Sequence, residues 1–205
     1  MWDHERFEEL RKSLKTPSPF AKGLPEIVDF LLMPAYKRSL KYREFGDDFY
    51  TSIILGGLPP RHSIFCNEFH SKLMELTPRD FEMVVGNLLK NLGGNVGISG
   101  KGADGGIDLT WNTPDDYLIQ CKRTKNKVEV GVVREIHGVL SAPSCKAKGA
   151  FIVTADEFTN GATLFVSGLS SRIGLINGWE LFNLMTIRVP SLVEDIAEGR
   201  WKSNG

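Results

Sequence analysis

Two short apolar stretches, 106–111 and 117–123, flank the turn run Asn112-Thr113-Pro114-Asp115-Asp116. A hairpin of that kind constrains how the rest of this half of the chain is laid out. A clear helix signal precedes it. In Thr77-Pro78-Arg79-Asp80, Thr77 can cap free N–H groups, Pro78 suits the first helical position and Asp80 favours the positive end of the helix dipole. Phe81, Val84, Val85, Leu88, Leu89 and Leu92 then form an apolar stripe at helical spacing, and Gly93-Gly94 ends it. A strand expected at 95–99 and a glycine-rich loop at 100–106 lead into the hairpin. After the hairpin, Val132, Val133, Ile136, Val139 and Leu140 fit a helix. Residues 149–154 read as a buried strand, 157–169 as a helix, 173–176 as a strand and 178–185 as a short helix. This order predicts an α/β fold with a mixed central sheet flanked by helices.

Residues 1–75 differ in texture. They hold eleven of the twenty aromatic residues. Short helices are expected at 3–14, 24–32, 35–43 and 62–76, broken by Thr16-Pro17-Ser18-Pro19 and by Gly56-Gly57-Leu58-Pro59-Pro60. The chain is therefore divided into a small, mainly helical N-terminal region (1–75), an α/β domain (76–188) and a C-terminal tail (189–205). The aromatics of the first region can stack on bases, or build a core or a dimer surface, and the second use is the commoner one.

Composition narrows the function classes. With 41% hydrophobic and 24% charged residues this is the make-up of an ordinary globule. There is no run of about 18 apolar residues, so no membrane span is expected. The charged start Met1-Trp2-Asp3-His4-Glu5-Arg6 lacks an apolar signal core, so a cytoplasmic location is expected. Cys66, Cys121 and Cys145 are too few for a disulfide framework and fit a reducing compartment. His4, His62, His70 and His137 are scattered, with no partner at metal spacing. The net charge is zero, whereas nucleic-acid enzymes usually carry a basic surplus. The local exception is Lys122-Arg123-Thr124-Lys125-Asn126-Lys127, with four positive charges in six residues.

The hairpin concentrates the chemistry. Asp108 and Gln120 lie symmetrically about Pro114, so they should face each other across the two strands. Gln120 and Lys122 share a face, because side chains alternate along a strand. Ile107, Leu109, Trp111, Tyr117, Ile119 and Cys121 are expected on the opposite, apolar face. An acid, an amide and an amine then stand together. A half-exposed sheet with polar residues outward explains this blandly. The functional reading is phosphodiester hydrolysis. Carboxylate and other oxygen donors hold a hard cation such as Mg²⁺, the cation polarises the phosphate, and an ammonium stabilises growing charge.

Asp104-Gly105-Gly106-Ile107-Asp108-Leu109, then Gln120-Cys121-Lys122-Arg123, then Gly149-Ala150-Phe151-Ile152-Val153-Thr154 with Phe158-Thr159 resemble the catalytic domain of the Mrr-like restriction endonucleases. That family belongs to the PD-(D/E)XK nuclease superfamily and carries Gln in place of the usual second acid. The resemblance runs from about Thr77 to Met185 and includes Phe81-Glu82 and Leu175-Ile176-Asn177-Gly178 with Leu181. It implies a restriction-endonuclease-like fold and a Mg²⁺-dependent enzyme, with Mn²⁺ able to substitute. Asp108 would be the central metal ligand, joined by Glu82, the amide oxygen of Gln120 and the backbone carbonyl of Cys121. Lys122 would be the catalytic lysine. Lys101, Arg123, Lys125 and Lys127 are the candidate contacts to nucleic acid. Asp80 is assigned to helix capping and Asp104 to shaping the glycine loop.

The expected partner is DNA, with RNA as the alternative, and the expected activity is an endonuclease in restriction or defence against foreign or modified DNA. Two other readings keep the fold: cleavage of RNA or DNA junctions, including cleavage switched on by a nucleotide second messenger, and a non-catalytic nucleic-acid-binding subunit. Cutting both strands of a duplex needs two sites, so a homodimer or higher homo-oligomer is expected.

Overall fold

In a computed structural model, which describes residues 2–15, 20, 22–34, 37–38, 63–99, 106–170 and 172–202, the elements follow the predicted order. They are α1 (His4–Lys15), α2 (Leu24–Leu31), α3 (Ser63–Glu75), α4 (Pro78–Leu92), β1 (Asn95–Ile98), β2 (Leu109–Asn112), β3 (Asp116–Lys122), α5 (Val130–Ser141), β4 (Gly149–Thr154), α6 (Asn160–Ser167), β5 (Ile173–Ile176), α7 (Gly178–Arg188) and α8 (Pro190–Ala197). The helix expected at 35–43 lies largely outside the described residues. Among the described residues, no helix is long and apolar enough to cross a membrane.

The five strands form one mixed sheet in the order β1-β2-β3-β4-β5. β1, β2 and β3 run antiparallel, and β3, β4 and β5 run parallel, joined through α5 and α6. Helices cover both faces of the parallel half, which is why β4 and β5 are buried throughout and read as continuous apolar runs.

Alternation splits the core in two. Leu109, Trp111, Tyr117, Ile119, Phe151 and Val153 point to the side of α4 and α7. Ala150 and Ile152 point to the side of α5 and α6, where Val133, Ile136, Ala162 and Val166 meet them. Ile107 packs into this second core, not with Leu109 and Trp111 as its parity predicted. The strand begins only at Leu109, so alternation does not reach back to it. α6 likewise begins at Asn160 and not at 157. Thr159 is its cap, accepting the Ala162 N–H at 3.2 Å, while Val128 and Phe158 form a lone parallel bridge beforehand.

α4 starts as its sequence requires. Thr77 Oγ1 accepts the Asp80 N–H at 3.1 Å, and the Asp80 carboxylate reaches back to the Thr77 N–H and hydroxyl. This reciprocal cap stabilises a helix start by roughly 1 kcal/mol. Phe81, Val84, Val85, Leu88, Leu89 and Leu92 are all buried, each contributing about 1.5–3 kcal/mol.

The described aromatics of the N-terminal region go into this same core. Phe7, Phe20, Phe30 and Phe69 are buried with Trp179, Leu181 and Phe182 of α7. Arg38 Nη1 donates to the carbonyls of Leu31 at 3.1 Å and Leu175 at 2.8 Å, and Arg188 donates to the carbonyls of Phe20 and Lys22. The end of α2 closes on β5 where Gly174 leaves room, since a Cβ there would lie 2.7 Å from the Leu31 carbonyl oxygen. The segment from 189, expected as a tail, carries α8, with Val193 and Ile196 buried in the core.

Candidate active site

β3 outruns β2, and the site is built on that overhang. The β2–β3 register pairs Leu109 with Ile119 and Thr110 with Leu118, so Asp108 falls opposite Gln120 one step beyond the last paired residue. The backbone N–H of Asp108 donates to the Ile119 carbonyl at 2.9 Å, and its carbonyl accepts the Ser99 N–H at 2.9 Å. The next ladder donor on β3 is the Cys121 N–H. It has no strand carbonyl to meet, and the Asp108 carboxylate accepts it instead, at 2.7 Å. On the other side of β3 the Lys122 carbonyl accepts Thr154 Oγ1 at 2.9 Å and the Ala155 N–H at 3.3 Å. Backbone polarity alternates along a strand, so the Cys121 carbonyl lies on the same side as Asp108, not toward β4.

α4 brings Glu82 to this point, one turn past the Thr77 cap. Glu82 is mostly buried, and its Oε2 accepts Arg79 Nη1 at 2.8 Å. The electrostatics place the groups together. Burial pushes the Asp108 carboxyl above the usual carboxylate range; the Cys121 N–H opposes this, the Glu82 charge adds to it, and Lys122 and Arg79 oppose it. Burial also pushes the Cys121 thiol well up, Asp108 and Glu82 reinforce this, and Lys122 opposes it. The thiol therefore stays protonated and is no nucleophile. Asp108, Glu82, Lys122 and Arg79 share one electrostatic neighbourhood.

Gln120 is 1% exposed, and neither atom of its amide finds a hydrogen-bond partner among the described residues. An unpartnered buried amide costs about 1–3 kcal/mol unless something supplies the missing contact. Gly106, at φ 80°, passes so close that a Cβ there would lie 2.6 Å from Gln120 Nε2. Two neighbouring carboxylates, an amide oxygen without a partner among the described residues, and a strand carbonyl on the Asp108 side are all hard oxygen donors. That set fits a hard divalent cation, which Asp108, Glu82, Gln120 and the Cys121 carbonyl could hold.

The other predicted residues fare differently. Arg123 Nη1 donates to the Met74 carbonyl at 2.8 Å, which ties the end of α3 to the end of β3. Lys125 and Lys127 are exposed, and Lys127 acts on Glu157. Lys101 and Asp104 lie outside the described residues. Asp80 is engaged in the α4 cap, as expected. His137 sits edge-on to Phe165, at 6.2 Å between ring centres. The residue that sequence reasoning missed is Arg79; its signal was its place three residues before Glu82, on the same helix face. Among the described residues, His4, Glu8 and Glu194 bring three ligand atoms within 4.8 Å of one another, but on α1 and α8, and Glu8 is already paired with Arg11.

A mixed five-stranded sheet with its acids at the β2–β3 overhang defines a restriction-endonuclease-like domain. The fold is shared with a solved structure, the DNA modification-dependent restriction endonuclease AspBHI, at a TM-score of 0.51 and 18% identity over 69% of this chain and 40% of that one. This chain thus spans about two fifths of that protein's length. The family model described as restriction endonuclease, Mrr_cat, matches residues 73–185, and the chain belongs to that family. No curated protein matches the chain.

Proposed function

We propose that this chain is a divalent-cation-dependent endonuclease that hydrolyses phosphodiester bonds in DNA. Mg²⁺ is the working ion and Mn²⁺ a substitute, and the role is restriction of foreign or modified DNA. The observation that carries this reading is the gathering of Asp108, Glu82 and Lys122 at the end of β3, beside the buried amide of Gln120, which has no partner among the described residues. When bound, the cation polarises the phosphate and makes water more acidic near neutral pH.

The chain's own groups do the rest. Asp108 is held rigidly by the Cys121 N–H, so its free oxygen lone pairs keep a set direction. Lys122 lies next in sequence to the Cys121 anchor, and its ammonium offsets negative charge that grows on the phosphate. Glu82 supplies the second negative charge that a dication needs. AspBHI, by its name, cuts DNA in a modification-dependent way, which makes modified DNA the first substrate to try. Cutting both strands needs two such sites, so the working form is a dimer of this chain or larger.

The test is a panel of unmodified and modified plasmid DNA, and RNA, with Mg²⁺, with Mn²⁺ and with EDTA. DNA is cut with either ion and not with EDTA. Asp108→Asn and Lys122→Ala each lower the rate about 100-fold or more while the fold melts nearly as wild type. Normal cutting by both variants would falsify the site, and tight nucleic-acid binding without cleavage of any substrate would favour a binding subunit.

A further inference from the structure

Arg79 is not used by the function proposed above, yet it stands among its acids. The α4 cap determines its surroundings. Asp80 is occupied by the Thr77 N–H and hydroxyl, so the carboxylate open to Arg79 is Glu82, one turn on. The two side chains differ in exposure, 49% for Arg79 and 19% for Glu82. Glu82 is thus largely withdrawn from water beside a second acid, and a charge so placed needs a counter-ion. Arg79 supplies it, and it also acts on Asp108.

Arg38, Arg123 and Arg188 are anchored to backbone carbonyls, whereas Arg6, Arg11, Arg172 and Arg200 pair with carboxylates away from the site; among the described residues, Arg79 is the paired arginine whose acid stands beside Asp108. Arg79 holds one carboxylate through one nitrogen, in a half-exposed pair between positions i and i+3. Pairs of this kind are weak and open easily. A guanidinium keeps its charge at any working pH, and its planar fork matches two phosphate oxygens.

We propose that Arg79 is an exchangeable counter-ion: it neutralises Glu82 in the cation-free protein and passes to a DNA phosphate when a divalent cation takes Glu82. This rests on the reading of Asp108 and Glu82 as the cation site. It has a thermodynamic consequence. Arg79 competes with the cation for Glu82, and DNA removes the competitor, so cation and DNA each tighten the binding of the other.

The experiment measures Mn²⁺ affinity by calorimetry without DNA, and duplex affinity across a salt series in Ca²⁺. The proteins are wild type, Arg79→Ala, Arg79→Lys, Asp108→Asn and Lys90→Ala. The last removes an equal charge from the far end of α4 and controls for net charge. Arg79→Ala binds Mn²⁺ about two- to fivefold more tightly, the factor that an exposed pair's strength converts to. It also binds duplex more weakly, with a salt slope shallower by about one. Arg79→Lys falls between, and Lys90→Ala matches wild type. Unchanged Mn²⁺ affinity or an unchanged salt slope in Arg79→Ala overturns the exchange, as does an equal effect from Lys90→Ala. If Asp108→Asn binds Mn²⁺ as wild type does, the cation site itself is wrong and Arg79's role goes with it. If Asp108→Asn loses Mn²⁺ while Arg79→Ala is silent, only the exchange is lost.

Discussion

The Asp108 carboxylate accepts the backbone N–H of Cys121 at 2.7 Å, and so completes the β3 ladder where β2 has no residue to offer. One side chain serves structure and chemistry at once, and two substitutions separate the uses. Asp108→Ala leaves a half-buried N–H without its acceptor and costs about 1–3 kcal/mol. Asp108→Asn keeps an oxygen in place and costs under about 1 kcal/mol, although both variants lose the cation. Urea unfolding in EDTA measures the difference, and equal midpoints for the two variants would show that the bond contributes nothing.

The same residue makes stability depend on pH, with a sign opposite to that of most acids. The folded Asp108 pKa is raised, chiefly by burial, with Glu82 adding to it. Between the unfolded and folded values the native state holds more protons than the unfolded one, so stability falls as pH rises. The favourable contribution is complete below the ordinary aspartate range and is lost as pH climbs through the raised value. In EDTA, wild type therefore loses ground to Asp108→Asn as pH goes from acid to neutral. Mn²⁺ reverses the trend, because it needs the ionised carboxylates. Melting curves of both proteins against pH, with and without Mn²⁺, test this; a wild-type deficit that widens toward acid in EDTA contradicts it.

Much of this was legible because local rules apply inside regular elements. The Thr77–Asp80 cap and the apolar stripe of α4 follow from spacing, and symmetry about Pro114 placed Asp108 opposite Gln120. The rules failed where an element stopped. Ile107 and Asp108 precede β2, so their side chains follow the turn at Gly106 and not strand parity. The expected shared face for Asp108, Gln120 and Lys122 became a carboxylate turned to the Cys121 N–H at the strand edge and a buried Gln120 amide. α8 was missed in what was taken for a tail; Pro190 opens it at a position where its missing N–H costs nothing. No sequence period shows that Phe7, Phe20 and Phe69 share a core with Phe182; only the folded chain brings them together.

Gly106 tests how closely Gln120 is held. Its φ of 80° is a left-handed value that an alanine adopts at a cost of about 1–2 kcal/mol. The new methyl would also lie 2.6 Å from Gln120 Nε2, so the amide must move. Gly106→Ala is expected to destabilise the fold by about 2 kcal/mol or more and to weaken Mn²⁺ binding, even though residue 106 is not a ligand. Calorimetry on a variant still folded at the assay temperature is the check. Loss of stability with unchanged Mn²⁺ affinity would remove Gln120 from the ligand set.

Arg38 and Glu180 determine whether the N-terminal region behaves as a separate unit. Their side chains are 6% and 7% exposed, with Arg38 Nε 3.4 Å from Glu180 Oε1, long for a hydrogen bond, so the contact is mainly ionic. Glu180 also accepts the Asn177 N–H at the start of α7, and Arg38 Nη1 holds the carbonyls of Leu31 and Leu175. Arg38→Ala removes the guanidinium beside a buried acid at a helix start and the donor to two carbonyls, a loss of about 1–3 kcal/mol. Because Arg38 joins α2 to the end of β5, the loss should appear in one cooperative transition, with no early step in which residues 1–75 melt alone. Urea unfolding followed by tryptophan fluorescence and far-UV circular dichroism measures both features. Two separated transitions in wild type, or a cost below about 1 kcal/mol for Arg38→Ala, would mean that the N-terminal helices are a loosely attached module.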